Sequence, residues 1–444
     1  MAYGRIRIEC MLERLYGMKW IDNIFDEMYL QFSNLYRVWR DNKKVRLISC
    51  GLLITVSLLI IFCIQSDIGN DVKDYQQYWL SYIKDDGLFG IYKHMYNVKH
   101  RTNYPPLYYV FLFLMQPIFD WFMSLFGTHG LAIVLKISTL LIHCVVGFLL
   151  YRKNPKLSFV WFFNPACIWL FTSTIHFDAF FGFLMILFLY YIDEDNIKMT
   201  VIIFTIMTLL KLQGLYFAPV ILFSMLRSAR KREWIKWIVI CLLISVAIFL
   251  PFMLESNNKM LMFDLYFKNV TSQYTSCHVT SLWYFVLLFV YTINSNILEK
   301  PSFVMSIVAL CLIFMCVFCL YKRMKKFKIS YAVYIYMLLI NFLTLSQDYR
   351  YSIYCVLLGL YVSIKYNNKA LLKYVSKLEI LSWFCVFACS FLMTFLSRDS
   401  FIVYLIYLAL YFIVWLCYVQ VVMNYFKHES DFDGIFMNEQ KHIQ

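Results

Sequence analysis

Long apolar stretches constrain this chain more than any other feature. Six of them hold roughly 20 residues with few charges, and they lie at 46–65, 131–150, 234–254, 302–321, 378–396 and 400–425. A helix of that length crosses a hydrocarbon core about 30 Å thick. Backbone groups cannot stay unpaired in lipid, and the sequence lacks the alternation of a membrane β-barrel. The pattern predicts an all-α polytopic membrane protein.

Composition excludes an ordinary soluble domain. Of 444 residues, 61% are hydrophobic and 15% are charged, whereas soluble domains are about 45–50% apolar and about 25% charged. The formal net charge is +14, but the lysines and arginines stand in short runs beside the apolar stretches. Such runs are typical of the cytoplasmic side of a membrane protein, not of a nucleic-acid-binding face. We therefore expect a lipid bilayer, and no nucleic acid, among the partners.

The basic runs set the predicted topology. Five are assigned to the cytoplasm, namely Arg37–Arg46, Tyr151–Lys156, Arg227–Lys236, Lys322–Lys328 and Lys365–Lys377. The stretch 105–127 is interrupted by Pro117 and Asp120, so we expect it to lie on the outer surface, partly embedded. About twelve spans result, with a large first external loop that carries interfacial helices. A rival topology makes 105–127 a full crossing and moves Tyr151–Lys156 outside.

Five segments follow from this topology. Residues 1–45 form a cytoplasmic or interfacial segment with an amphipathic helix. Residues 46–254 form a first transmembrane module whose external loop is 66–130. The others are an external loop with a re-entrant piece at 255–301, a variable transmembrane module at 302–426 and a cytoplasmic tail at 427–444. No internal repeat is visible, although many transporters are built from inverted repeats.

Charged and histidine side chains gather at the external ends of the predicted spans. They are Asp67, Asp71, Asp74, His176, Asp178, Lys211, His278, Asp348 and Arg350. A charged side chain at the bilayer centre costs about 2.5–3.5 kcal/mol on insertion scales, so such residues usually face a polar cavity. Each has an ordinary structural explanation by itself, such as a snorkelling lysine or a solvated loop acid. Their convergence on one face predicts a site.

The motif after the first predicted span is the most specific. It reads Asp71-Val-Lys-Asp74-Tyr75-Gln-Gln-Tyr78-Trp79, and Asn103-Tyr104-Pro105-Pro106 follows later in the same loop. This loop resembles the first external loop of the GT-C superfamily of membrane glycosyltransferases. In that superfamily the loop carries an essential acid, then a Trp, and later a Tyr-Pro-Pro element that opens a helix at the membrane surface.

Four further motifs continue the resemblance in the expected order. Ile175-His176-Phe177-Asp178 and Lys211-Leu-Gln213 are similar to elements of related enzymes that use polyprenyl-phosphate sugars. His278-Val-Thr-Ser281-Leu-Trp283 and Asp348-Tyr-Arg350-Tyr351 resemble later elements more loosely. The resemblance covers roughly residues 45–365, and it implies a GT-C-like fold.

The resemblance also implies a reaction. A sugar would pass, with inversion, from a polyprenyl-phosphate donor to a glycan or lipid-linked acceptor on the non-cytoplasmic face. Asp71 is the first choice for the base, Asp74 the second and Asp67 the third. The expected donor-binding residues are Lys211, Gln213, Arg350, His176, Asp178 and His278, and the expected acceptor or loop residues are Tyr75, Trp79 and Tyr104. No cofactor and no metal are expected.

Two other classes of protein stay open. One is a transporter or flippase of lipid-linked sugars, and the other is a non-catalytic membrane assembly subunit. The expected location is a bacterial plasma membrane with the site facing outside, as in the synthesis of a surface polysaccharide or cell wall. An endoplasmic reticulum membrane with a lumenal site is the alternative.

Overall fold

The computed structural model describes residues 19–63, 75–95, 102–164, 168, 178–268, 281–283, 303–343, 350–387 and 401–429. These residues are almost entirely helical and contain no strand, so the predicted all-α class is confirmed. The longer described helices that precede residue 256 are α1 (Lys19–Asp41), α2 (Lys43–Cys63), α3 (Gln77–Gly90), α4 (Pro106–Phe126), α5 (Gly130–Lys153), α6 (Pro155–Phe162), α7 (Asp178–Asp193), α8 (Ile197–Leu210), α9 (Ala218–Arg227) and α10 (Lys231–Glu255). Those that follow residue 302 are α11 (Phe303–Lys326), α12 (Ile329–Leu343), α13 (Arg350–Lys365), α14 (Lys369–Phe387) and α15 (Phe401–Lys427).

Three helical stretches of the described chain are long and apolar enough to cross a bilayer. They are Lys43–Cys63, Pro106–Arg152 and Lys231–Glu255. Leucines on α10 such as Leu242 and Leu243 are exposed by more than half, and a bilayer would remove this apolar surface from water. Shorter apolar helices of the described chain include Phe180–Asp193 and Ile197–Leu210, and the number of about twelve spans stays a prediction.

Two tight turns fold consecutive helices back on each other. In each turn a residue with positive φ, Asp195 or Asn367, is followed by an asparagine, Asn196 or Asn368. The asparagine side chain accepts a hydrogen bond from a backbone N–H in the first turn of the next helix, at 3.1 Å and 2.9 Å respectively. A left-handed residue ends one helix and an N-cap starts the next. Thus α7 and α8, like α13 and α14, form short-looped helical hairpins.

The predicted basic runs meet at one end of the bundle, which we call the basic end. The Arg46 guanidinium lies 5.2 Å from the Tyr151 ring centroid, and Lys365 Nζ lies 2.9 Å from Asp193 Oδ2. The other runs join through Arg230 with Asp195 and through Lys328 with Tyr366. The rival topology separates Arg46 and Tyr151 by a bilayer, so this contact favours the topology in which 105–127 does not cross.

Helix α4 lies across the opposite end of the bundle, which we call the distal end. Its last residue, Phe126, packs against Phe62 near the end of α2, with ring centroids 6.0 Å apart. Its first half shares a buried cluster with Leu209 at the end of α8. Both ends of α4 therefore contact the distal ends of helices that start at the basic end. This geometry favours a surface helix over a crossing.

Helix α14 begins earlier than the sequence suggested. We assigned Lys365–Lys377 to a cytoplasmic basic run and expected a span from 378, whereas the helix begins at Lys369. Lys369, Lys373 and Lys377 recur every four residues, and Lys369 and Lys373 are exposed. They form the polar stripe of an amphipathic helix whose other face is buried.

Candidate functional site

Trp79 is the centre of an aromatic cluster in the segment between α2 and α4. Its side chain is 3% exposed, and the rings of Tyr75, Tyr104, Tyr108 and Tyr109 have centroids 5.4–5.8 Å from it. Tilted and edge-on contacts at these distances are favourable between aromatic rings. All three residues expected to shape the acceptor side, Tyr75, Trp79 and Tyr104, therefore belong to one packed unit.

The Tyr104-Pro105-Pro106 element is held by tyrosine hydroxyl groups. Tyr92 Oη donates to the Tyr104 carbonyl at 2.7 Å, and the Tyr104 N–H donates to Tyr109 Oη at 3.2 Å. Pro105 is extended and Pro106 occupies the first turn of α4, where proline needs no N–H partner and has a suitable φ. The element therefore fixes the start of the surface helix.

The loop is also attached to the end of α10. Lys93 Nζ lies 2.7 Å from Glu255 Oε1, and this hydrogen bond raises the pKa of Lys93. The Phe252 ring packs edge-on against Phe89 and Tyr92, with centroids 5.2 Å and 5.5 Å away. The segment between α3 and α4 and the distal end of α10 thus form one surface.

Lys211 lies at a break between two helices. Helix α8 ends at Leu210, Lys211 is extended with φ −149° and ψ 137°, and a 3₁₀ turn follows over Leu212–Phe217. A Cβ on Gly214 would lie 2.6 Å from the backbone nitrogen of Thr208, so only glycine allows this close approach. The chain therefore bends near Gly214, and the bend begins at the lysine.

The loop motif and the lysine motif border the same apolar cluster. Leu209 and Leu212, on either side of Lys211, are buried in one cluster with Trp79 and Tyr108. A hydroxyl hydrogen bond adds to the packing, because Tyr266 Oη donates to the Thr208 carbonyl at 2.8 Å. Segments more than 100 residues apart in sequence therefore meet at the distal end.

The helices that carry two other motifs pack together at their first turns. Helix α7 begins at Asp178 and α13 begins at Arg350. Phe181 and Tyr354, one turn further along, have ring centroids 5.5 Å apart. Because α7 and α8 form a hairpin of similar arm lengths, Asp178 also lies near the level of Lys211.

The motif His278–Trp283 is described only at Ser281–Trp283. The Trp283 indole N–H donates to the carbonyl of Leu343, the last residue of α12, at 2.8 Å. The Ser281 carbonyl accepts from the Trp415 indole on α15 at 2.9 Å. This segment is thus held between α12 and α15, and its contact residue Leu343 lies seven positions before the start of α13 at Arg350.

Several predicted site residues lie outside the described part of the chain. These are Asp67, Asp71, Asp74, His176, His278 and Asp348, together with the side chains of Asp178 and Arg350. Their roles stay predictions. Within the described residues, no three His, Cys, Asp or Glu side chains are grouped so that they could hold a metal ion.

One buried glutamine at the distal end, Gln76, was missed in the sequence, whereas Gln213 was expected. Gln76 is 5% exposed, and its Nε2 donates to Tyr108 Oη at 2.9 Å. The Oε1 atoms of Gln76 and Gln213 are both buried and have no hydrogen-bond partner among the described residues. Buried acceptors are costly unless a donor reaches them. Both could therefore accept from hydroxyl groups of a ligand.

Lys136 was also missed, although it has a clear signal. It is fully buried in the second turn of α5, next to Leu135, which belongs to the Trp79 cluster. A lysine within an apolar stretch of this length is rare and tends to be functional. Its position inside the predicted span 131–150 is therefore the observation that could have identified it.

Replacing Trp79 by alanine is expected to destabilise the protein by about 3–5 kcal/mol, because the substitution removes a buried aromatic side chain and leaves a cavity. The readout is the thermal melt of the purified full chain in detergent. Trp121→Ala is the matched control, since Trp121 on α4 is 60% exposed. Equal melts of the two variants would contradict the packing role of Trp79.

Comparisons with known proteins give no match. No protein-family model, no curated protein and no solved structure is significantly similar to this chain. A functional proposal therefore depends on the residues themselves and on where the fold brings them.

Proposed function

We propose that this protein is a membrane glycosyltransferase that uses a polyprenyl-phosphate sugar as donor. One observation carries the proposal: the loop motif of Trp79 and the break at Lys211 border one buried cluster at the distal end, while the basic runs lie at the basic end. With the basic end in the cytoplasm, the site faces the opposite side of the membrane. Polyprenyl-linked donors and their glycan acceptors suit that side.

In the proposed reaction, Asp71 takes the proton from an acceptor hydroxyl. The freed oxygen forms a bond to the anomeric carbon of the sugar as the bond from that carbon to the phosphate oxygen breaks. Attack from the face opposite the phosphate inverts the anomeric configuration. The electron pair of the broken bond leaves with polyprenyl phosphate. A positioned carboxylate contributes to such a step by accepting the proton in the transition state.

The leaving phosphate needs positive charge that is already in place. Lys211 supplies a point charge and Arg350 a bidentate fork. Fixed cations stabilise developing negative charge without reorganising during the reaction. Lys136 adds a further cation beside the cluster. The unpartnered oxygens of Gln76 and Gln213 would accept from hydroxyl groups of the sugar or the acceptor.

Two alternatives have the same spans and cations. A transporter would move a lipid-linked sugar across the bilayer without cleaving it, and a scaffold would do neither. The tight aromatic packing of the first loop favours an enzyme, because the carboxylate that acts as the catalytic base requires a rigid support.

The test uses the full chain reconstituted in liposomes. It is supplied with a panel of polyprenyl-phosphate sugars and a crude cell-envelope acceptor. We expect release of polyprenyl phosphate from one donor, with inversion at the anomeric carbon, and no turnover of nucleotide sugars. Movement of an intact donor across the bilayer would establish the transporter instead. Turnover of nucleotide sugars alone would also overturn the proposal.

A further inference from the structure

A polar pocket lies at the basic end, far from the proposed catalytic face. It encloses about 360 Å³ between the end of α1, the start of α6 and the start of α14. Arg40, Lys156 and Lys369 line it, together with the amides of Asn154, Asn367 and Asn368. No residue that lines it is acidic. The pocket therefore has the charge of an anion-binding site.

The N-termini of two helices lie beside this pocket, and their capping residues line it. The Asn154 side chain accepts from the backbone N–H groups of Lys156 and Leu157 at the start of α6, at 2.9 Å and 3.3 Å. Asn368 caps α14 in the same way. Each helix N-terminus carries a partial positive charge that favours an anion. Both caps also line the pocket, so the dipoles add to the charge of the lysines.

Asn368 supplies an independent sign that a ligand is missing. Its side chain is 3% exposed, and its oxygen is used for the cap of α14. Its Nδ2 is buried and has no hydrogen-bond partner among the described residues. Since a buried donor is costly without an acceptor, an oxygen-bearing ligand in the pocket would satisfy it.

The surroundings of Lys156 disfavour the charged form of its side chain. Burial lowers the pKa of Lys156, and the nearby charge of Lys369 lowers it further. Arg40 is partly neutralised by Asp41, with Nε and Oδ1 2.7 Å apart. Lys156 is therefore the cation that a bound anion would relieve most.

An apolar groove continues from the polar pocket. The two cavities share Tyr36, Lys156 and Leu372, and the groove is otherwise lined mainly by apolar side chains that include Phe32, Val160, Ile380 and Trp383. The Glu379 carboxyl group also lines the groove, and it accepts a hydrogen bond from Asn164 Nδ2 at 2.7 Å. Helix α1 forms one wall of the groove through Phe32, Ser33 and Tyr36.

We propose that the pocket and groove bind one anionic phospholipid of the leaflet at the basic end. The phosphate would contact Lys156, Lys369 and Asn368, and the part of one acyl chain nearest the headgroup would enter the groove against Leu372 and Trp383. A free phosphate would leave the groove empty, whereas a phospholipid matches both halves. The site also lies where lipid headgroups meet the cytoplasmic side in the proposed topology.

The test measures lipid binding to the delipidated full chain in detergent by native mass spectrometry. The probes are phosphatidylglycerol and phosphatidylcholine with the same acyl chains. We expect a first phosphatidylglycerol adduct that phosphatidylcholine does not form at the same concentration. The double variant Lys156→Gln/Lys369→Gln should weaken that adduct about tenfold or more, because charge-assisted hydrogen bonds are lost. The control Lys322→Gln/Lys325→Gln removes two exposed charges of α11 at the same end, and it should bind as wild type does.

A third variant separates binding from folding. Asn368→Asp keeps an oxygen that can cap α14, but it replaces the Nδ2 donor by negative charge. It should melt at the temperature of wild type and lose the phosphatidylglycerol adduct. Equal binding by Asn368→Asp and wild type would overturn the proposal. Competition by millimolar inorganic phosphate, with no preference for either lipid, would also overturn it in favour of a free anion.

Discussion

Replacing Asp71 by asparagine is expected to lower the rate of sugar transfer by about 10²- to 10⁴-fold, which is the usual contribution of a positioned general base. Asparagine has the shape of aspartate and cannot take a proton at neutral pH. Asp71 lies between the end of α2 at Cys63 and the first described residue of the Trp79 motif, Tyr75. The variant should therefore bind both substrates and fail in the chemical step.

The pH profile distinguishes a base from a structural acid. A base must be deprotonated, so the wild-type rate should fall as the pH drops through the pKa of its carboxyl group. In Asp71→Asn this acidic limb should be absent. A lost salt bridge would lower the melting temperature and leave the limb in place.

Matched variants in the same loop complete the test. Asp85→Asn changes an exposed acid of α3 and should keep the wild-type rate. If Asp71→Asn retains full turnover while Asp74→Asn or Asp67→Asn is inactive, the base is reassigned. If all three keep full turnover, a carboxylate base in this loop is excluded.

The predictability of the fold differs from one helix to another. The apolar stretches 46–65 and 234–254 became α2 and α10 with small changes at their ends, because hydrophobic length dominates there. The beginning of α14 at Lys369 was missed, because the lysines were assigned to a basic run before the span. Their spacing of four residues is typical of a helix, since residues with this spacing share one helix face.

The site was only partly predictable, because sequence shows motifs and not their neighbours. Trp79 and Lys211 were recognisable as separate motifs, but their common cluster depends on α4 lying across the distal end. Gln76 gave no signal, since a glutamine before an amphipathic helix is ordinary. The bond between Asn164 and Glu379 joins residues 215 positions apart, and no local pattern encodes such a pair.

Replacing Lys211 by glutamine is the second decisive change, with an expected loss of about 10²–10³ in turnover, the range for removing one preorganised electrostatic contact. Lys211 directly follows the last residue of α8 and has an extended backbone. Its backbone N–H, which a substitution of the side chain leaves in place, closes the helix by donating to the Met207 carbonyl. Gly214 and the 3₁₀ turn keep the break in place. The charge can therefore be removed while the backbone stays.

The comparison with Lys198→Gln makes the result specific. Lys198 lies on the same helix at the basic end, with its Nζ 5.1 Å from the Trp237 ring centroid, and its loss should leave turnover unchanged. Lys211→Arg should restore part of the rate, since arginine also neutralises a phosphate. If Lys211→Gln lowers both the melting temperature and turnover, and Lys211→Arg restores neither, the lysine is structural. A phosphate role instead requires a normal melt, slow cleavage of the donor and rescue by arginine.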